Sequence, residues 1–159
     1  MNFPPSAMMK QKLPEPMRMA FAQAQGAAAR GEVPVGAVIV DAQGSLLAMT
    51  GNRTLELQDP TAHAEMLAIR TAAQKLGSER LIGCDIYVTL EPCAMCAAAI
   101  SFARLRRVYF AAGDEKMGAV EHGPRFFSQT TCHHAPEVYG GIGEGEAQEM
   151  LISFFKERR

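Results

Sequence analysis

Apolar and polar positions change period several times along these 159 residues, and each change marks an element. Over 17–30, Met17, Ala20, Phe21, Ala24 and Ala28 recur three or four apart, which predicts an Ala-rich amphipathic helix. From Pro34 to Asp41 the run is nearly all apolar, as in a strand buried on both faces. The turn Ala42-Gln43-Gly44-Ser45 joins it to a second strand, Leu46–Thr50, as a hairpin. Helical spacing returns over 61–76, entered through Asp59-Pro60-Thr61 and stopped by Gly77. A strand is expected over about 85–90, a helix over about 93–103 and a strand over about 106–111, which implies a parallel crossover. The chain then reads as loop to about 135, with Val138-Tyr139 as a short strand and 144–158 as a last helix. That helix carries Ala147, Met150, Leu151, Phe154 and Phe155 on one side. The sum is an α/β domain: a mixed sheet that starts with a hairpin and has helices on both faces. Residues 1–16 hold four of the nine prolines and read as a loosely ordered leader before a single domain, 17–159.

Composition narrows the class. Hydrophobic residues make up 48% and charged residues 21%, as in an ordinary soluble globular protein. The formal net charge of −1 advertises neither a nucleic-acid nor an anionic-membrane partner. No apolar run reaches the roughly eighteen residues of a spanning helix. The N-terminus lacks the charged region and apolar stretch of a secretory signal. Four cysteines without a disulfide framework fit a cytoplasmic setting.

Two segments carry candidate chemistry: Thr61-Ala62-His63-Ala64-Glu65 and Glu91-Pro92-Cys93-Ala94-Met95-Cys96. They supply an imidazole, two thiolates and a free carboxylate, the set needed for a zinc ion with three protein ligands and an open fourth position. A lone Cys-x-x-Cys also serves redox and structural zinc sites. A closed structural site needs a second pair, whereas Cys84 and Cys132 stand alone. The strand ahead of Cys93 resembles a redox setting, but His63 and Glu65 decide against it. His-x-Glu followed by Pro-Cys-x-x-Cys is the known signature of zinc deaminases. Pro92 suits the first turn of a helix, and a helix N-terminus favours the thiolate form of Cys93 and Cys96. His63 and Glu65 are two apart and diverge on a regular helix. They converge only if the site lies beyond the helix end.

On these segments, with Glu32-Val33-Pro34-Val35-Gly36-Ala37, Gly51-Asn52-Arg53 and the Gly118 loop after Asp114, the chain resembles the cytidine-deaminase superfamily. Asn52 and the Asp-Pro-Thr-Ala context are similar to its tRNA adenosine deaminase branch. The resemblance covers about 17–159 and implies a three-layer αβα sandwich with a five-stranded mixed sheet, assembled as a homodimer. It implies that His63, Cys93 and Cys96 hold one Zn2+ per subunit and that Glu65 is the catalytic acid and base. It implies that Asn52 hydrogen-bonds the base or its ribose, that Ala64 lies beside the base through its backbone, that Pro34 and Val35 line the pocket, and that Asp114 stands near the substrate. The activity implied is hydrolytic deamination of adenosine to inosine at the tRNA wobble position, with the tRNA anticodon loop as partner and no membrane. The alternatives are a deaminase of a free nucleobase or nucleoside and a silent subunit that keeps the fold. An intact Glu65 argues against the silent subunit. Residues 120–134 depart from the family pattern, which bears on substrate access and not on the metal.

Other features have plain readings. Cys132-His133-His134 reads as loop rather than as a second metal site. Cys84 reads as a small buried hydrophobe. Phe126-Phe127 and Phe154-Phe155 suit core packing with stacking on bases as the alternative. Arg104, Arg106, Arg107, Lys156, Arg158 and Arg159 serve phosphate contacts, surface solvation or dimer contacts.

Overall fold

The computed structural model describes residues 13–158. In chain order the elements are α1 (Glu15–Ala29), β1 (Gly36–Val40), β2 (Leu46–Gly51), α2 (Ala64–Leu76), β3 (Asp85–Leu90), α3 (Ala94–Phe102), β4 (Arg107–Ala112), a 3-10 turn (Phe126–Ser128), β5 (Glu137–Tyr139) and α4 (Glu144–Glu157). The five strands form one sheet in the order β2-β1-β3-β4-β5. β1 is antiparallel to β2 and β3, and β3, β4 and β5 are mutually parallel. The hairpin and the crossover through α3 both form as expected.

Burial explains why β1 is apolar at every position. Ala37 and Ile39 pack with Ala64, Ala68 and Ala72 of α2 and Ala97 and Ile100 of α3. Val38 and Val40 pack on the opposite face with Met17, Ala20 and Phe21 of α1 and Ala147 of α4. A strand covered on both faces has no solvated side to hold polar residues. The layers are therefore α2 and α3, the sheet, then α1 and α4, the expected αβα sandwich.

α1 lies very close to the sheet. Gly36 and Gly51 are paired in register across β1 and β2. A Cβ on Gly36 would stand 1.9 Å from the Ala20 carbonyl oxygen, and one on Gly51 would stand 2.7 Å from that of Gln23. Facing this notch, the helix presents Ala20, Ala24 and Ala27, all fully buried. Farther across the same sheet, register sets Tyr87 beside Tyr109 and Tyr109 beside Tyr139. Their rings stack with centroids 4.4 Å and 5.1 Å apart.

Several boundaries differ from the sequence expectation by one to three residues, β1 being shorter at both ends, and two helix starts have a clear cause. α1 starts at Glu15, because Pro16 fits its first turn, and Leu13 is buried in the α1–α4 core. Residues 13–16 are thus folded, and the rest of the expected leader, 1–12, lies outside the described residues. α2 starts at Ala64 rather than 61. Asp59 instead closes its own turn, accepting hydrogen bonds from the Thr61 N–H and hydroxyl at 2.8 Å and 2.7 Å.

Candidate metal centre

His63 is the N-cap of α2 and Cys93 is the N-cap of α3. An N-cap residue has extended backbone, and both do, with φ/ψ of −70°/152° and −73°/177°. Neither side chain caps its own helix. Both turn instead toward one point, with Cys96 one turn into α3. The His63 Nδ1 lies 3.7 Å from Cys93 Sγ and 3.5 Å from Cys96 Sγ. A tetrahedral zinc with bonds of about 2.3 Å to sulfur and about 2.0 Å to nitrogen holds such atoms roughly 3.5 Å apart. The three ligand atoms lie within 4.8 Å of one another and can hold a metal ion. The N-cap position also answers the two-residue spacing. His63 precedes the helix, so it need not diverge from Glu65 as two helical residues would. Pro92 sits one residue before the cap rather than in the first turn, because Cys93 itself takes the cap.

Two helix N-termini aim at the cluster, which favours anionic ligands. The hydrogen bond from Cys96 holds the Cys93 thiol down at about 4, with His63 adding to the effect against the opposing pull of burial. The same contact and burial push Cys96 up. Metal binding takes both sulfurs as thiolates, so it releases any proton that the pair carries. The bond with Cys93 raises His63. Burial raises Glu65, which is 4% exposed.

These groups open into a cleft of about 1420 Å³. His63, Cys93, Glu65, Asn52, Val35 and Asp114 all line it. Pro34 and Ala64 are not among its lining residues. Val33 and Val35 face the cleft, and the Pro34 ring between them is buried behind it. Ala64 is fully buried and acts through its backbone. Its N–H donates to Asn52 Oδ1 at 2.8 Å, and its carbonyl accepts from Thr50 Oγ1 at 2.6 Å. Asn52, at the end of β2, therefore supplies the hydrogen bond that His63 withholds from the α2 N-terminus. The Asp114 carboxylate is engaged locally, accepting from the Lys116 and Met117 N–H groups at 3.1 Å each.

The sequence reading missed two buried carboxylates beside the cleft. Glu32 accepts from the Leu55 and Glu56 N–H groups at 3.1 Å and 2.9 Å. Glu91 takes the segment from Asp114 to His122 in the same way. An acidic residue wedged between Leu90 and Pro92 was the available signal. α4 also reaches the cleft, through Leu151, Ile152, Phe155 and Lys156 among others. Phe154 is buried beneath the Arg158 guanidinium, whereas Phe155 is half-exposed. Phe126 and Phe127 pack on the α2–α3 core.

The remaining candidates resolve simply. Arg106 is paired with Asp85 at 2.9 Å, Arg107 with Glu137 at 2.6 Å, and Arg104 donates to the His133 carbonyl at 3.4 Å. Lys156 and Arg158 line the cleft, and Arg159 lies outside the described residues. Cys84 is buried. Cys132 and His134 tie their loop to α3 and its C-terminal turn, through Ser101 and the Leu105 carbonyl. Among the described residues, His63, Cys93 and Cys96 are the metal-binding cluster.

Comparison with known proteins agrees with this geometry. The model of the cytidine and deoxycytidylate deaminase zinc-binding region matches residues 10–112. A tRNA-specific adenosine deaminase of Agrobacterium fabrum is 60% identical over 143 residues, covering 90% of this chain and 93% of its own. One from Bacillus subtilis is 41% identical, covering 90% and 88%. A solved structure from work on A-to-I editing by tRNA:A34 deaminases superposes with a TM-score of 0.84 at 60% identity, over 86% of this chain and 98% of that one. A guanine deaminase from Nitrosomonas europaea, 21% identical, shares the fold with a TM-score of 0.71 over 96% and 93% of the chains. With its zinc-binding region matched and close relatives aligned along most of its length, the chain belongs to the cytidine and deoxycytidylate deaminase family of zinc-dependent hydrolases.

Proposed function

We propose that the chain deaminates adenosine to inosine at the wobble position of tRNA, the substrate named for its 60% identical relatives. The observation that carries this reading is the placement of Glu65 and Asn52 in the same cleft wall as the His63–Cys93–Cys96 cluster. His63, Cys93 and Cys96 hold one zinc. When bound, zinc polarises a water and lowers its pKa toward neutrality. Glu65 takes a proton from the attacking water and delivers it to N1 of adenine. Oxygen stays on C6, and the amino group leaves as ammonia with the second proton. Burial suits Glu65 to hold the proton between the transfers. The Asn52 oxygen is occupied by Ala64, so its NH2 group is the part that donates to the nucleotide. Val35 and Asp114 supply wall on either side, and Pro34 and Ala64 support it from behind.

Size favours RNA over a free base. Pockets that enclose small ligands run from about 300 to about 1000 Å³. A cleft of about 1420 Å³ that continues to α4 has room for neighbouring nucleotides. An unpaired base also enters a pocket at lower energetic cost than a stacked one. Zinc-loaded protein incubated with an anticodon stem-loop carrying an unpaired adenosine should form inosine. Parallel incubations with adenine, guanine, cytosine and cytidine should stay unreacted. Turnover of a free base with none in RNA would sink the reading.

The same reading has the protein as a cytoplasmic homodimer. Free cysteines fit a reducing compartment. Phe102, 77% exposed at the end of α3, and Leu55, 70% exposed, offer apolar surface to a second copy. Sedimentation should give the mass of two chains, and the mass of one chain would remove the dimer.

A further inference from the structure

Glu91 carries an unusual number of hydrogen bonds for one side chain. Its carboxylate has no solvent exposure. One oxygen accepts from the Asp114 N–H at 3.0 Å and pairs with the His122 ring Nδ1 at 2.6 Å. The other accepts from the N–H groups of Val120, Glu121 and His122 at 3.1, 3.0 and 3.2 Å. A buried carboxylate persists only where such donors replace its hydration. All five donors belong to the segment from Asp114 to His122. At the other end of the backbone, Glu91 is two residues from Cys93.

The same segment meets the metal-ligand turn directly. The Ala119 N–H donates to the Pro92 carbonyl at 2.9 Å, and Cys93 bridges to Gly118. Gly118 passes so close that a Cβ there would stand 2.5 Å from the Glu91 carboxylate. Between the two fixed ends, Asp114, Glu115, Lys116 and Met117 form a wall of the cleft. Asp114 braces that stretch from within: its carbonyl accepts from the Gly118 N–H at 2.9 Å, and its carboxylate accepts from the Lys116 and Met117 N–H groups at 3.1 Å each.

We propose that Glu91 is a positioning residue that holds the 114–117 wall at a set distance from the metal centre, so that the wall meets the substrate. It acts through the backbone of its partners and touches no substrate. The proposal deepens the RNA reading above and rests on it for its kinetic arm. Glu91→Gln keeps the shape of the side chain but turns one acceptor into a donor. With the oxygen left facing Val120, Glu121 and His122, the new NH2 group opposes the Asp114 N–H.

The test uses full-length, zinc-loaded Glu91→Gln with the anticodon stem-loop, read as kcat and KM separately, with zinc content and amide exchange alongside. We expect zinc to be retained, KM to rise about tenfold and kcat to stay within about twofold, because lost wall contacts weaken binding more than the proton transfers. Amide protection should fall most at Asp114. A general loss of stability would lower the active fraction, and hence kcat, while leaving KM alone. His122→Ala removes one of the five contacts from a partly exposed side chain and should raise KM by a smaller factor, which keeps the test decisive if Glu91→Gln fails to fold. Unchanged KM with full protection at 114–122 overturns the proposal, as does loss of zinc with collapse of kcat. A wild-type protein inert on RNA defeats the functional reading instead, and exchange at Asp114 still decides the role of Glu91.

Discussion

Replacing Glu65 with Gln should leave a protein that folds and binds metal but deaminates at least a hundredfold more slowly. A carboxamide of the same shape fills the buried position in α2, with one oxygen kept as an acceptor and an NH2 group in place of the other. It cannot accept a proton from water or hand one to a ring nitrogen. Positioned acid–base catalysis contributes about a hundredfold to ten-thousandfold, and here one side chain serves both transfers. The three candidate ligands are untouched, since Glu65 is not among them. The check is paired: zinc content by atomic absorption and single-turnover inosine formation on the stem-loop. Near-normal turnover with metal bound would refute the assigned role, and loss of the metal would recast Glu65 as part of the ligand shell.

The second large effect is on stability, and it comes from a glycine far from any proton. Gly36→Ala should destabilise the protein by about 3 kcal/mol or more, at the top of the range for overpacking. The added methyl would meet the Ala20 carbonyl oxygen at 1.9 Å, the Ala20 carbonyl carbon at 2.9 Å and the Ala24 nitrogen at 2.7 Å. All three are helix backbone, so no side chain can swing aside to relieve the clash. α1 would have to lift from β1, opening the core that Met17, Phe21 and Val38 share. For a chain of this size each kcal/mol moves the melting temperature by about 2–4 °C. Thermal unfolding should therefore show a drop of roughly 10 °C, and an unchanged melting temperature would mean that the helix does not sit where described. Gly51→Ala, at 2.7 Å from the Gln23 carbonyl oxygen, should show a smaller drop.

Gly36 also marks where the amino-acid sequence stops being legible. Strand and helix identities followed from period, and most ends fell within one or two residues, because apolar runs buried on two faces and Gly77 in the left-handed region leave plain marks. A close helix–sheet approach leaves none: a glycine at the start of a strand looks the same with or without a helix above it. The ligand set was legible as residue types at fixed spacing. The reason His63 and Glu65 can share a site was not, since it depends on His63 standing outside α2. Glu91 and Glu32 were passed over because each is paired with backbone N–H groups more than twenty residues away, a relation with no local period. Which side chains of the 33–35 run reach the cleft was not legible, because a continuous apolar run hides the alternation that puts Val33 and Val35 in its lining.

The stacked rings across β3, β4 and β5 have a spectroscopic meaning. The chain has three tyrosines and no tryptophan, and all three tyrosines stand in that one column. Its near-ultraviolet tyrosine signal is therefore a report on one half of the sheet, from the central strand β3 out to the edge strand β5. Tyr139 sits on the three-residue strand at that edge, so fraying of β5 would unstack one ring and leave the Tyr87–Tyr109 pair intact. The protein thus carries a built-in optical probe of its outermost strand, on the face away from α2 and α3.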